Sequence, residues 1–257
     1  MIHPTAIVHP TAEIDENVEI GPYTIIEENV IIDEGTTVGP HVVIRKNTTI
    51  GTNCQIFQFA SIGERPQDLK YSDEETATII GCNNVIREYV TIHRASVHGD
   101  GKTELGDRNF LMAYCHVAHD CKIGNHVIMA NGATLGGHIE IQDHAILGGL
   151  SAAHQFVRIG THCIVSGLTG IPQDIPPYTM AAGERARLYG LNVTGLKRHN
   201  FSDDTLRSLK KAYRLLFRSK VPLSQAVEKV QNDKIASVPE VAHMVDFIRH
   251  SERGICR

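Results

Sequence analysis

Residues 2–62 read IHPTAIVHPTAEIDENVEIGPYTIIEENVIIDEGTTVGPHVVIRKNTTIGTNCQIFQFASI. An aliphatic residue stands at Ile2, Val8, Ile14, Ile20, Ile26, Ile32, Val38, Ile44, Ile50, Ile56 and Ile62, a spacing of six without a miss. Four residues after each comes a small or β-branched residue, as in Ala6, Val18, Thr24, Val30, Thr36, Thr48, Cys54 and Ala60. A period of six matches neither the 3.6 of a helix nor the plain alternation of a strand. It fits a three-sided prism in which each flat face takes one hexad. The aliphatic residue points inward and the small residue fills the corner. Asn or Gly recurs three residues after the aliphatic position, at Asn17, Asn29, Gly35, Asn47, Asn53, Asn83 and Gly132. These residue types tolerate the left-handed backbone that a tight corner demands.

Working outward, the phase breaks after Gly63, resumes at Ile80, Ile86 and Ile92, and breaks again near Val97–Glu104. A third run follows from Leu105 through Leu111, Val117, Ile123, Met129, Leu135, Ile141, Leu147, Ala153, Ile159 and Val165 to Ile171, making 26 hexads in all. Three hexads form an 18-residue coil. Coils stacked like parallel strands at about 4.8 Å give a prism ~40 Å long. The breaks at 64–79 and 97–104 read as loops thrown out of the prism, where solenoids place binding surfaces. From Ser202 the period changes to helical: 202–219, 223–233 and 238–250 carry apolar stripes, such as Leu206, Leu209, Tyr213 and Leu216. Ser202, acidic residues behind it and basic residues at the far end are helix start and stop signals. The expected organisation is a β-prism over 1–190 and a small α-helical domain over 191–257 that caps the open sheet end.

The 257 residues are 42% hydrophobic and 21% charged, with no Trp, 15 His and a net charge of −4. An acidic balance argues against nucleic acid as a partner. The N-terminus has no basic stretch leading into an apolar run, and no 18-residue apolar segment occurs, so neither a signal peptide nor a membrane span is expected. Six Cys without a CxxC pair read as reduced, mostly buried small hydrophobes of a cytoplasmic protein. The basic residues Lys197, Arg198, Lys210, Lys211, Arg214 and Arg218 form either a solvated face or, as a group, a docking site for an acidic partner.

The coil period also locates chemistry. Counting residues modulo 18, His116, His154, His119 and His138 fall within five adjacent columns on three successive coils. Two coil steps span only about 10 Å, so four imidazoles from distant parts of the chain converge. A second series, His126, His144 and His162, repeats every eighteen residues on another side. It reads as a solvent-facing stack, with metal binding of the kind three His support in zinc hydratases as the competing reading.

The hexads resemble those of the hexapeptide-repeat acyltransferases, which implies a left-handed parallel β-helix. Five segments narrow the resemblance: QFASIGERPQDLKY (58–71), REYVTIHR (87–94), HVAHDCKIGN (116–125), LGGHIEIQDHAILGG (135–149) and AAHQFVRIG (152–160). They are similar to the UDP-N-acetylglucosamine O-acyltransferases, a family that performs the first step of lipid A synthesis, and the likeness runs into GLKR (195–198) and beyond. It implies His119 as general base supported by Asp120, because a sugar hydroxyl attacks poorly until a base near pKa ~6.5 takes its proton. It implies the Gly137 N–H as donor to the thioester oxyanion, a contact that lowers a barrier by about 3 kcal/mol. His116, His138 and His154 match residues that position substrate and acyl chain. Asp68 matches the residue holding the glucosamine ring, and Lys70 is placed for the diphosphate. Gln155 and Asn192 match nucleotide or acyl contacts, and Arg198 matches one of two consecutive arginines. Gly167 matches the position that ends the acyl channel, and a Gly there leaves room for a longer chain. Thr194 and His199 depart from the family, which commonly has an acidic residue and an Arg at those positions. The resemblance further implies a 3-hydroxyacyl donor on acyl carrier protein, a homotrimer with sites between prisms, no cofactor and no metal.

Four other functions stand beside this reading. The N-acyl sister enzymes carry a uridine-binding domain before their repeat, and hexads beginning at Ile2 leave it no place. An acetyl-CoA-dependent transferase is separated by the donor it accepts. A zinc hydratase would use the His ladder, and a scaffold would bind no nucleotide.

Overall fold

The computed structural model describes all residues, Met1–Arg257. Short parallel strands stack into three sheets of nine, eight and ten strands. The first face runs from Ile7–Val8 to Gly170–Ile171 and the second from Glu13–Ile14 to Arg158–Ile159. The third starts at Glu19–Ile20 and ends in Thr179–Ala182 and Arg187–Leu191. Up to Ala152–Ala153 each strand pairs in parallel with the one three elements later, so Ile7 lies on Ile25 and Val8 on Ile26; at the end of the third sheet Ile164–Val165 pairs with Thr179–Ala182, which pairs antiparallel with Arg187–Leu191. The architecture is the parallel β-helix that the hexads imply. Most strands are only two residues long because the other four of each hexad turn the corner. Ile26, Ile32, Ile44, Ile50, Ile62, Ile80 and Leu135 are at most 1% exposed, and these inward ladders form an aliphatic core.

The small positions carry polar work as well. Thr24 Oγ1 donates to Gly39 O at 2.7 Å and accepts from Val42 N at 3.3 Å. Thr36 does the same between Gly51 O and Cys54 N, at 2.8 and 3.0 Å. Cys54, Cys115 and Cys121 take equivalent positions and point Sγ at backbone carbonyls. Where the inner corner carries Thr or Cys, the side chain is small and still satisfies a buried carbonyl, whereas Val30, Val42 and Ala133 fill the same place with apolar groups alone. All six cysteines are free thiols and five are buried.

Six of the seven expected Asn and Gly corners adopt φ between 56° and 73°; Asn17 does not. The left-handed corners extend far beyond Asn and Gly. Tyr23, His41, Phe59, Tyr89 and Tyr114 occupy one edge with φ from 55° to 64°. Each such residue costs about 1–2 kcal/mol of backbone energy. Successive coils set these rings 4.9–5.3 Å apart in a stack, and aromatic pairs return ~0.5–1.5 kcal/mol each.

Two boundaries differ from the sequence reading. Residues 77–79 and 102–104 belong to strands Ala77–Ile80 and Lys102–Leu105, which pair with each other. The thrown-out segments are therefore shorter, and they appear as register steps: Ser61 pairs with Thr91 and Thr91 with His116. The hexads also do not stop at Ile171. Ile175 bridges to Ile159, and Ala181 pairs with Val165. Both side chains are at most 1% exposed. A two-residue shortening around Pro172 shifts the phase and hides this last coil.

Four helices follow: α1 (Val193–Arg198), α2 (Asp203–Phe217), α3 (Leu223–Gln231) and α4 (Pro239–Arg249). Ser202 caps α2 by accepting from Thr205 N, and Leu206, Leu209, Tyr213 and Leu216 are buried as their spacing predicts. The helices dock on the prism through Tyr178 Oη and His243 Nδ1 at 3.1 Å, and through the Arg158 guanidinium 4.5 Å over the Phe247 ring.

Candidate functional site

Strand His116–Val117, strand Thr134–Leu135 and strand Ala152–Ala153 lie side by side on the first face, with His116 opposite Thr134 and Thr134 opposite Ala152. The chain then turns the same edge three times, placing His119 and Asp120, then Gly137 and His138, then His154 and Gln155 on consecutive coils. The convergence expected from the 18-residue period is present. The His119 and His138 rings meet edge to face at 5.2 Å, and His138 stacks on Phe156 at 4.6 Å.

Asp120 sits in the corner itself at φ 61°, a conformation Asp accepts more readily than most residues. This bends its carboxylate back onto its neighbour, so His119 Nδ1–H donates to Asp120 Oδ2 at 2.7 Å. His138 Nε2 lies 3.6 Å from the same oxygen. Ser96 adds its backbone N–H at 3.1 Å and its hydroxyl at 2.8 Å, and Thr103 Oγ1 accepts the Asp120 N–H at 2.8 Å. Burial alone would raise the Asp120 carboxyl, but the bonds from His119 and Ser96 together with the His138 charge bring it below the ordinary carboxylate range. Asp120 is thus a buried anion held ionised. It fixes His119 as the Nδ1–H tautomer and leaves Nε2 as a basic lone pair facing outward. Burial lowers His116 and His138, with the charge of His119 adding to both. Both shifts favour the neutral imidazole. Asp68 opposes the lowering at His138, which puts the 58–71 segment close to the imidazoles.

Gly137 is buried against the base. A Cβ added there would stand 2.6 Å from His119 Cε1 and 2.8 Å from Nε2. Its N–H donates to no protein acceptor. An unpaired donor beside the basic nitrogen is the arrangement that acyl transfer requires.

The other expected residues divide. Asp68 is half-buried and folds its carboxylate over the Lys70 N–H at 2.9 Å, while Lys70 itself is exposed. His154 and Gln155 are exposed on the catalytic edge. Asn192 and Arg198 are not there. Asn192 caps α1 by accepting from Gly195 N at 3.0 Å and donates to His162 O at 2.9 Å. That is a second edge of the prism, across the face carrying Lys122, Glu140 and Arg158. Gly167 lies on the third edge beside Leu168, which is 73% exposed. A groove lined by Glu104, Lys122, Glu140 and His243 also lies away from His119. One chain alone therefore does not bring together all the residues assigned to the site.

Several contributors were not legible in the sequence. Ser96 sits in a phase break, so no column placed it over Asp120. Thr91, whose Oγ1 is 2.7 Å from His116 Nδ1, is offset from His116 by the same break. His93, edge to face with His116 at 4.8 Å, is pushed by burial and the His116 charge to about 4 and so is neutral. Arg253 Nη2 donates to His154 Nδ1 at 3.1 Å from the end of the chain. No sequence signal joins those two positions.

A family model described as Udp N-acetylglucosamine O-acyltransferase, domain 2, matches residues 174–256, and a bacterial transferase hexapeptide model matches 23–58 and 102–137. The chain is 58% identical over 256 residues to the acyl-(acyl-carrier-protein)–UDP-N-acetylglucosamine O-acyltransferase of Thermodesulfovibrio yellowstonii, covering 100% of this chain and 99% of that one. It is 54% identical over 261 residues to the protein of the same name from Paraburkholderia phymatum, again across 100% of this chain and 99% of the relative. Among solved structures, LpxA from Acinetobacter baumannii superimposes with a TM-score of 0.97 at 44% identity, covering 100% of this chain and 99% of that one. The UDP-N-acetylglucosamine acyltransferase of Francisella novicida gives 0.97 at 38% identity, over 100% and 94% of the two chains.

Proposed function

Because this chain belongs to the UDP-N-acetylglucosamine O-acyltransferase family, we propose that it moves an acyl group from acyl carrier protein to the glucosamine 3-hydroxyl of UDP-N-acetylglucosamine, the opening step of lipid A synthesis. The observation that carries the reading is the Asp120–His119 pair with the unpaired Gly137 N–H beside it. His119 Nε2 takes the proton of the 3-hydroxyl as its oxygen attacks the thioester carbonyl. The imidazolium so formed is stabilised by the ionised Asp120, and the carbonyl oxygen, now an anion, accepts from Gly137 N–H. Collapse expels the thiolate of the carrier, which recovers the proton from His119. A general base contributes ~10²–10⁴-fold and an oxyanion donor ~10²–10³-fold. His119→Ala therefore removes most acyl transfer from a protein that still melts like the parent. A near-normal rate in that variant ends the assignment.

The finer reading follows from the edges. Asp68 orients the sugar beside His138, and Lys70 with Arg198 faces the diphosphate. Asn192 and Gln155 contact nucleotide and acyl chain. Since the catalytic residues, the Asn192–Arg198 group and Gly167 occupy three different edges of one prism, we read the enzyme as a homotrimer whose sites lie between neighbours. The exposed apolar edge of Tyr23, Phe59, Tyr89, Tyr114, Leu150 and Leu168, each 43–73% exposed, supports that association. Gly167 leaves space at the far end for a long 3-hydroxyacyl chain. Lys197, Arg198, Lys210, Lys211 and Arg214 offer positive charge to an acidic carrier protein. No helix is long and apolar enough to cross a membrane, and the free buried thiols agree with work in the cytoplasm.

A further inference from the structure

The second histidine series does not end as a simple ladder. His126, His144 and His162 stack at 4.7 and 4.5 Å with interplanar angles of 9° and 7°. Coil geometry accounts for that, because every eighteenth residue sits above its predecessor. It does not account for His199. This residue comes from outside the repeat, at the C-cap of α1, and turns its ring at 61° and 67° to His144 and His162, with centroids 4.8 and 4.7 Å away. One ligand nitrogen from each of His144, His162 and His199 lies within 4.8 Å of the others. The geometry points to a divalent transition-metal site formed by His144, His162 and His199, which takes zinc or an ion of similar preference and pins α1 to the edge of the prism.

Three imidazoles suit zinc, cobalt, nickel and copper better than magnesium or calcium. Tetrahedral coordination at ~2.0–2.1 Å sets nitrogens about 3.4 Å apart. Each ring must therefore swing inward by roughly 1 Å, and the exposed His199 is the freest to do so. Phe201, edge-on to His162 at 5.1 Å, and Tyr178, stacked beyond it at 6.2 Å, wall one side of the cluster. The Asp143 carboxylate acts on both His144 and His162 and favours a cation there. A water completes the coordination. His199 lies outside the repeat, so the coil period by itself does not build this site.

The test uses tag-free, chelator-treated full-length protein titrated with Co(II), then Zn(II). The expected result is one equivalent of Co(II) per chain with the strong visible absorption of four-coordinate cobalt, and a rise in melting temperature with zinc. His199→Ala and His162→Ala each weaken binding at least about ten-fold. His126→Ala, which removes a stack member but no ligand, leaves it unchanged. His119→Ala also retains the site. That control matters because His119, Asp120 and His138 form the other cluster with ligand atoms close enough for one ion. Absence of saturable one-to-one binding overturns the proposal. So does unchanged binding in a folded His199→Ala variant, or loss of binding in His119→Ala.

Discussion

Gly137→Ala isolates the catalytic geometry from the fold. Gly137 is not in the left-handed region, so an alanine backbone is unstrained there and the coil is expected to keep its melting temperature. The obstacle is the added Cβ, 2.6 Å from His119 Cε1 and 2.8 Å from Nε2. Carbon–carbon contact has its optimum near ~3.5–4.0 Å, so the ring must yield by about 1 Å. It cannot move freely, because Nδ1 is tied to Asp120 Oδ2 at 2.7 Å and His138 packs against it at 5.2 Å. A displacement of about 1 Å at a reacting centre costs roughly 10²-fold in rate, equivalent to ~2.7 kcal/mol in the barrier. The assay follows thiol release from acyl carrier protein with UDP-N-acetylglucosamine varied. A hundred-fold lower kcat is expected with KM for the nucleotide sugar little changed, since the Asp68 segment is untouched. Wild-type kcat from a protein with normal melting would refute the placement of the base against Gly137.

Three further outcomes are expected. Ser96→Ala deletes the 2.8 Å bond that helps hold the Asp120 carboxyl low. Its pKa then rises, and the acid limb of the kcat/KM profile moves to higher pH; an unmoved limb removes Ser96 from the site. Arg253→Ala frees His154 Nδ1. It should raise the KM for substrate more than it lowers kcat, whereas a parallel fall in melting temperature would assign Arg253 to the fold alone. Mixing inactive His119→Ala chains with inactive Arg198→Ala chains, followed by subunit exchange, should restore about a quarter of the sites if each is built from two neighbours. No recovery would place the whole site in one chain.

Much of the prism was written in the hexads, because one inward side chain every six residues has no other regular solution. The eighteen-residue coil then follows, and with it the meeting of His116, His119, His138 and His154 on one edge. The helices after Ser202 were legible for the same reason, since their apolar stripe must find a core. Tertiary structure decided what the period cannot carry. Phase breaks erase the column count, so Ser96 over Asp120, Thr91 beside His116 and the last coil at Ile175 and Ala181 emerged only in the folded chain. Corners were expected to need Asn or Gly, yet Tyr, His, Phe and Leu hold left-handed backbone there, because stacking between coils offsets a strain that one hexad alone would not bear. Contacts between the repeat and the chain beyond it, Arg253 to His154 and His199 to His144 and His162, depend on how the helical segment folds back. A local pattern constrains neighbours along a period; it says nothing of where a segment without that period will dock.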